Sequence, residues 1–193
     1  MITLEQLKRE VATLKTKNKF NKMLQFSALL TEYFEPKGIK PIIVGGLSVE
    51  IYTKGHYTTH DIDLITDGWE QFNDLLTNEL DFKKINRIWY HEDLEIAIEI
   101  PSSYLEGSLD KILQLQLPNN QCIYVIGIED IIIHRLESAI ASNKDHPEYI
   151  DDYDWAERMF HIHYEKNIDM NYLLEKAKQT NSDAIINKWV QES

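Results

Sequence analysis

Residues 42–66, IIVGGLSVEIYTKGHYTTHDIDLIT, constrain the fold more than any other part of this chain. They begin with a short β-branched run that stops at Gly45 and Gly46, which predicts a strand followed by a tight turn. Apolar residues then recur at mixed helical spacing, which predicts a helix over residues 47–54. The stretch therefore predicts a strand and a helix joined by two glycines, where the backbone can approach a ligand closely.

The start of that helix is a predicted phosphate site. The first turn of a helix carries unpaired N–H groups and the positive end of the helix dipole, and both attract anions. Gly45 and Gly46 would leave space for phosphate oxygens directly in front of this turn. We therefore predict that the phosphates of a ligand lie against the two glycines.

A second predicted strand, residues 60–66, carries two carboxylates on one face. Side chains alternate along a strand, so Asp61 and Asp63 point one way while Ile62 and Leu64 point the other. The Cα atoms of the two aspartates would lie roughly 6 to 7 Å apart, which lets both carboxylates reach one or two divalent cations. Magnesium suits such oxygen ligands, and a pair of metal ions can stabilise nucleotidyl transfer.

The string G-G-L-S followed by T-x-D-I-D-L resembles the signature of the nucleotidyltransferase superfamily, the fold of DNA polymerase beta and kanamycin nucleotidyltransferase. Residues 44–66 are most similar to the small bacterial members related to abortive-infection and toxin-antitoxin nucleotidyltransferases. Strand, glycine pair, helix and D-x-D strand seldom arise together by chance within about 25 residues. The resemblance implies an α+β fold, with a mixed β-sheet core flanked by helices and a C-terminal helical bundle.

The resemblance also implies an activity and a set of site residues. The activity is transfer of a nucleoside monophosphate from an NTP to an acceptor, with release of pyrophosphate and with Mg²⁺ or Mn²⁺ as the cofactor. The residues that it assigns are Asp61, Asp63 and Glu99 for catalysis and metal binding, and Gly45, Gly46, Ser48 and Thr59 for nucleotide binding.

The third carboxylate has two candidates on a strand predicted over residues 94–100. Alternation places Glu95 and Glu99 on one face of this strand, opposite a row of leucine and isoleucine side chains. The superfamily usually has its third carboxylate on a strand beside the D-x-D strand, and the form IEIP resembles that place. Glu99 is therefore the first candidate and Glu95 the second.

One position departs from the family pattern. Relatives often have an arginine four residues before the first aspartate, and this chain has Tyr57 there, while Thr59 keeps the family threonine. An alternative function therefore stays open, in which the fold is a catalytically silent binding module or partner protein, for example half of a toxin-antitoxin pair.

Charge limits the partners. The net charge of −12 disfavours general nucleic-acid binding, because an acidic surface repels the phosphate backbone. Within the nucleotidyltransferase hypothesis the acceptor is a protein, a small molecule or tRNA, and the acidic surface favours the first two. A cognate toxin or antitoxin protein and a role in phage defence are further implications of the resemblance.

Composition and length predict a globular protein of the cytoplasm. No stretch has the roughly 20 apolar residues of a membrane span, and the start of the chain lacks a signal-peptide pattern. The single cysteine, Cys122, lies in an apolar run and is predicted to be buried.

The rest of the chain predicts two regions. Residues 1–126 would form the nucleotidyltransferase-like core, with helices over residues 3–17, 20–34 and 69–80 and further strands over residues 82–90, 94–100, 111–117 and 121–126. Residues 127–193 would form a helical region packed on that core, with helices over residues 129–141, 147–163, 170–179 and 183–190. Asp169 and Ser182 are predicted N-caps.

Overall fold

The computed structural model describes residues 2–193, which divide into two compact units. The first unit consists of the chain up to Ser48, Thr58–Leu105 and Ile112–Val125, and the second of Val49–Tyr57, Glu106–Lys111 and Ile126–Ser193. The chain passes from the first unit to the second within one helix, Gly45–Tyr52.

The described strands form one mixed sheet in the first unit. They are β1 (Ile42–Val44), β2 (Asp61–Ile65), β3 (Lys83–Ile85), β4 (Ile88–His91), β5 (Ile96–Ser102), β6 (Leu113–Gln116) and β7 (Cys122–Val125). Their order across the sheet is β3-β4-β5-β2-β1-β7-β6. β2 runs parallel to β5 and β1 runs parallel to β7, whereas the other neighbours are antiparallel. The predicted α+β class with a mixed sheet is confirmed.

Helices lie before β1 and between β1, β2 and β3 in the sequence. They are α1 (Leu4–Thr13), α2 (Lys19–Phe34), α3 (Gly45–Tyr52) and α4 (Trp69–Asp74). Helix α1 begins with a capping box, in which Gln6 N donates to Thr3 Oγ1 and Thr3 N donates to Gln6 Oε1. The helix predicted over residues 69–80 is only partly α-helical, since one π-helical turn, Leu75–Glu79, follows α4.

The single strand predicted over residues 82–90 is wrong. This segment is a hairpin in which β3 and β4 pair antiparallel, with Ile85 opposite Ile88 across a two-residue turn. Asn86 in the turn has φ of +56°, a left-handed conformation that asparagine tolerates better than most residues. Residue types that favour strands stand on both sides of the turn, which is why the composition of the segment suggested one strand.

One face of the sheet is buried by the helices of the first unit. Ile62 of β2, Ile98 of β5 and Trp89 of β4 point to this face and are almost fully buried. Below it, the rings of Phe34 and Phe72 stack with centroids 4.1 Å apart. The opposite face of the same strands carries the carboxylates described below.

The second unit is built mainly of four helices. They are α5 (Ile128–Ser142), α6 (Asp151–His163), α7 (Met170–Gln179) and α8 (Asp183–Glu192). Asp169 caps α7 as predicted, because its carboxylate accepts from the N–H groups of Asn171 and Tyr172. Ser182 is the N-cap residue of α8 as predicted, but its hydroxyl donates to Ala177 O and makes no cap hydrogen bond.

The second unit contains two buried carboxylates that the sequence analysis did not single out. Asp130 is 3% exposed and accepts from the Tyr172 hydroxyl at 2.6 Å and from Ser108 N at 2.9 Å. Its neighbour Glu129 accepts from Asp169 N at 2.7 Å. Burial and the bond to Asp130 raise the pKa of Tyr172, so the phenol keeps its proton as donor. These bonds tie α5 to α7 and to the segment before β6.

The substitution Tyr172→Phe is expected to lower the free energy of unfolding by about 1 to 3 kcal/mol, because it removes a donor from a buried carboxylate. Urea unfolding measures the change. The control is Tyr149→Phe at a side chain that is 75% exposed, where a change within about 0.5 kcal/mol is expected. Equal midpoints for the two variants would contradict a stabilising role for the Tyr172–Asp130 bond.

Cys122 is half-buried, so the prediction that it is buried is wrong.

Among the helices of residues 2–193, none is long and apolar enough to cross a membrane.

Candidate active site

The predicted catalytic carboxylates lie on neighbouring strands of the first unit. In the parallel pair of β2 and β5, Asp63 lies opposite Glu99 and Asp61 lies opposite Ala97. Paired residues on adjacent strands point to the same face, so Asp61, Asp63 and Glu99 share one face of the sheet. All three side chains are half-buried. The structure thus places on one surface the three residues assigned to the metal ions.

Asp63 packs directly against Gly45. Across the pair of β1 and β2, Asp63 lies opposite Val44, the residue before the glycine. A Cβ atom on Gly45 would lie 2.1 Å from Asp63 Oδ2 and 2.9 Å from Asp63 Cγ. Gly45 also has φ of +58°, in the left-handed region that favours glycine. Two separate constraints therefore require glycine at position 45.

The glycine pair begins the helix rather than preceding it. Helix α3 starts at Gly45 and ends at Tyr52, whereas the sequence predicted residues 47–54, so its bounds are corrected by two residues at each end. Gly46 lies in the first turn, where backbone N–H groups have no partner within the helix. The first turn of α3 therefore lies beside the Asp63 carboxylate.

Ser48 and Thr59 hold parts of this site in place. The Ser48 hydroxyl is fully buried and donates to Gly45 O at 2.7 Å, which fixes the carbonyl of the residue that starts α3. The Thr59 hydroxyl is also buried and donates to Asp61 Oδ1 at 2.8 Å, which orients that carboxylate from two residues away. Each hydroxyl thus contacts a residue of the candidate site.

The two candidates for the third carboxylate lie in different environments. Glu99 is inside β5 and in register with Asp63. Glu95 lies in the turn before β5, is exposed, and has φ of +53°. A residue in the left-handed region breaks the alternation of a strand, so Glu95 does not share the strand geometry of Glu99. The structure places only Glu99 beside the D-x-D strand.

Tyr57, at the family arginine place, packs in the second unit. Its ring meets Trp155 edge to face with centroids 5.0 Å apart, and Arg135 Cζ lies 5.8 Å from the Tyr57 centroid. Arg135 also forms an ion pair with Asp152 at 2.6 Å. Tyr57 is separated from these residues by about 80 to 100 positions, so no local sequence pattern indicates that they pack together.

The chemistry of the donor set fits magnesium. Asp61, Asp63 and Glu99 offer oxygen ligands only, which are the ligands that Mg²⁺ and Mn²⁺ prefer. In residues 2–193 no three His, Cys, Asp or Glu side chains are already gathered as a metal site. Magnesium usually binds through one or two carboxylates together with substrate phosphates, so the fit does not need a closed cage of protein ligands.

Strand β1, helix α3 starting at two glycines, and carboxylates on β2 and β5 have the architecture of the nucleotidyltransferase fold. The chain is similar to the crystal structure of an antigenic nucleotidyltransferase-like protein from Paracoccidioides brasiliensis, with a TM-score of 0.54 and 13% sequence identity. That similarity covers 92% of each chain. It confirms the resemblance of residues 42–66 at the level of the fold.

Other comparisons are more distant. The crystal structure of ANT(2")-Ia in complex with adenylyl-2"-tobramycin has a TM-score of 0.49 and 15% identity, over 81% of this chain and 94% of that chain. The sequence matches no protein-family model and no curated protein.

Proposed function

We propose that this protein is a nucleotidyltransferase that moves a nucleoside monophosphate from an NTP to an acceptor hydroxyl. The observation that carries the proposal is the alignment of Glu99 with Asp63, whose carboxylate packs against Gly45 at the start of α3. This arrangement puts candidate metal ligands beside a candidate phosphate site. The shared fold with a nucleotidyltransferase-like protein supports it.

In the proposed reaction the acceptor oxygen forms a bond to the α-phosphorus of the NTP. The bond between that phosphorus and the oxygen bridging to the β-phosphate breaks, and pyrophosphate leaves with the bonding electrons. The acceptor hydroxyl loses its proton, and Glu99 is the base that takes it, because a carboxylate within hydrogen-bond reach can accept a proton as the new bond forms. Pyrophosphate and the nucleotidylated acceptor are the products.

Asp61, Asp63 and Glu99 would hold Mg²⁺ or Mn²⁺. The metal, when bound, supplies neutralisation of the negative charge on the triphosphate and on the leaving pyrophosphate. Thr59 holds Asp61 through its 2.8 Å hydrogen bond, so it would act on the metal site by positioning that carboxylate. Thr59 would thus contribute to nucleotide binding, the role that the family resemblance implies, by orienting Asp61.

The first turn of α3 would receive the phosphates. Gly46 has no side chain to fill the space in front of the backbone N–H groups, and the helix dipole favours an anion there. At Gly45 the Asp63 carboxylate takes up the space that a side chain would fill. Ser48 would support this turn by holding the Gly45 carbonyl at 2.7 Å. NTP, a separate acceptor and a divalent cation are thus the three ligands of the proposed enzyme.

Thermal unfolding with Mg²⁺ and NTP tests the proposal. We expect the two together to raise the melting temperature more than the sum of their separate effects, because each ligand completes the site of the other. Saturation at 100 times the dissociation constant would add about 2.7 kcal/mol, or a rise of roughly 5 to 10 °C for a chain of this size. Unchanged melting with all four NTPs and Mg²⁺ would contradict the proposal.

The alternative is a catalytically silent nucleotidyltransferase-fold module that binds a partner protein. Tyr57 favours this alternative, because it replaces the family arginine and its ring packs against Trp155. Such a module would show no transfer from α-labelled NTP to any acceptor. A role in toxin-antitoxin or phage-defence systems is compatible with either function and would place the protein in the cytoplasm.

A further inference from the structure

The carboxylates belong to two rows of side chains that cross the sheet on one face. Strand register gives the first row as Ile85, Ile88, Glu99, Asp63 and Val44. It gives the second row as Lys83, Tyr90, Ala97 and Asp61. Both rows run from the edge strand β3 to the D-x-D strand, so the carboxylates and the β3–β4 hairpin share one continuous surface.

The hairpin end of this surface is apolar and open to solvent. Ile85 is 59% exposed, Ile88 is 39% exposed and Tyr90 is 36% exposed. We call these three residues the apolar shelf. Adjacent strands lie about 4.8 Å apart, which puts Ile88 one strand from Glu99 and Ile85 two strands, or about 10 Å, from it. The shelf therefore begins directly beside the proposed base.

The composition of the surface favours a polypeptide over a nucleic acid. Two of the three shelf residues are aliphatic, and single-stranded nucleic acids bind mainly through aromatic stacking and a positively charged groove. Lys83, the basic residue in the second row, is paired with Glu92 at 3.0 Å. Three carboxylates on the same face and a net charge of −12 oppose a polyanion.

We propose that the apolar shelf binds the acceptor, and that the acceptor is a hydroxyl-bearing residue of a polypeptide segment flanked by apolar side chains. This inference rests on the proposed transfer reaction. An extended chain advances about 3.4 Å per residue. With the acceptor hydroxyl at Glu99, side chains one to two residues away reach Ile88, and those about three residues away reach Ile85. The shelf would thus select apolar residues close to the acceptor.

Defined acceptors and α-labelled NTPs test this inference. Two sets of nine-residue peptides carry a central Tyr, Thr or Ser, with leucine at the flanking positions in one set and glutamine in the other. A single-stranded RNA with a free 3′ hydroxyl is the third probe. We expect at least about tenfold more transfer to the leucine set, because burial of a leucine side chain on the shelf favours binding.

Variants of the protein locate the site. Ile85→Lys should lower transfer to the leucine set by about tenfold and leave the melting shift with Mg²⁺ and NTP unchanged. The matched control is Leu113→Lys, which changes a 38% exposed apolar side chain on β6 at the opposite edge of the sheet. This control should leave both the transfer and the melting shift unchanged.

Each other outcome overturns the inference in a distinct way. Equal transfer to the two peptide sets, or no transfer to any peptide while nucleotide binding persists, would exclude apolar selection by the shelf. Transfer by the wild-type protein to RNA in preference to both peptide sets, lowered in Ile85→Lys, would assign the surface to nucleic acid. If Mg²⁺ and NTP together did not raise the melting temperature of the wild-type protein, the proposed function would be refuted, and the shelf proposal with it.

Discussion

Replacing Gly45 by alanine is expected to abolish NTP binding and to lower the free energy of unfolding by about 2 to 5 kcal/mol. The left-handed backbone at φ of +58° costs a residue with a Cβ roughly 1 to 2 kcal/mol. Forcing an extra atom into a packed site costs about 1 to 3 kcal/mol more, and this Cβ would lie 2.1 Å from Asp63 Oδ2. The carboxylate would have to leave the glycine turn, which would separate the proposed metal ligand Asp63 from the proposed phosphate site at α3.

Gly38→Ala is the matched control for this substitution. Gly38 has φ of +80°, and a Cβ there would meet no heavy atom within 4 Å. It should therefore show the backbone cost alone, about 1 to 2 kcal/mol, with unchanged NTP binding. Urea unfolding and calorimetric titration of NTP with Mg²⁺ provide the two readouts. If Gly45→Ala matched Gly38→Ala in both, the close contact with Asp63 would have no functional role.

A double variant separates the two costs at Gly45. Adding Asp63→Ala to Gly45→Ala removes the carboxylate that the new Cβ would meet. Because the two residues are in contact, their effects on stability are expected to be non-additive, with part of the lost free energy of unfolding recovered. NTP binding with Mg²⁺ should remain lost, since the double variant also lacks the proposed metal ligand Asp63.

Asp63→Asn is expected to lower the rate of nucleotidyl transfer by about a thousandfold or more while the protein remains folded. The amide has nearly the same shape as the carboxylate but lacks the charge that holds a divalent cation. Loss of the metal's charge stabilisation, several kcal/mol in the transition state, corresponds to a factor of about 10³ or more in rate. Transfer of α-labelled NTP to the leucine-flanked peptides measures the rate.

Asp67→Asn is the control for Asp63→Asn. Asp67 lies just beyond β2 and is exposed. Its replacement by asparagine removes the same charge outside the candidate site. Its transfer rate should stay within about twofold, since surface substitutions away from such features change little. A transfer rate for Asp63→Asn close to that of Asp67→Asn would remove Asp63 from the catalytic residues and leave the fold as the only likeness to nucleotidyltransferases.

Local sequence features predicted the elements of the site, while long-range pairing determined how they meet. Residues 42–66 indicated β1, α3 and β2 because glycines and alternation act over a few positions. The register that aligns Asp63 with Glu99 joins residues 36 positions apart, and alternation along one strand contains no information about its neighbour. This is why Glu95 and Glu99 could not be separated until the strands were paired.

The β3–β4 hairpin that carries the apolar shelf was also not predicted from the sequence. Residues 82–90 are rich in isoleucine and aromatic residues, so the composition suggested one strand, although Asn86 supplied a turn signal within it. Folding this segment into β3 and β4 places Ile85 and Ile88 beside the carboxylates. Similarly, no periodicity indicated that Val49–Tyr57 and Glu106–Lys111 group with the C-terminal helices.

During biosynthesis, Val49–Tyr57 is made long before the C-terminal helices with which it forms the second unit. His163 Nε2 lies 2.8 Å from Tyr52 O, and these two residues are separated by 111 positions. A ribosome adds about 5 to 20 residues per second, so His163 is made roughly 6 to 22 s after Tyr52. Helix α3 therefore gains its contact with His163 only after α6 has been made. A nascent chain stalled before α6 would contain β2 and β5 but would lack this contact of α3, so under the proposed function we expect NTP binding only after α6 has been made.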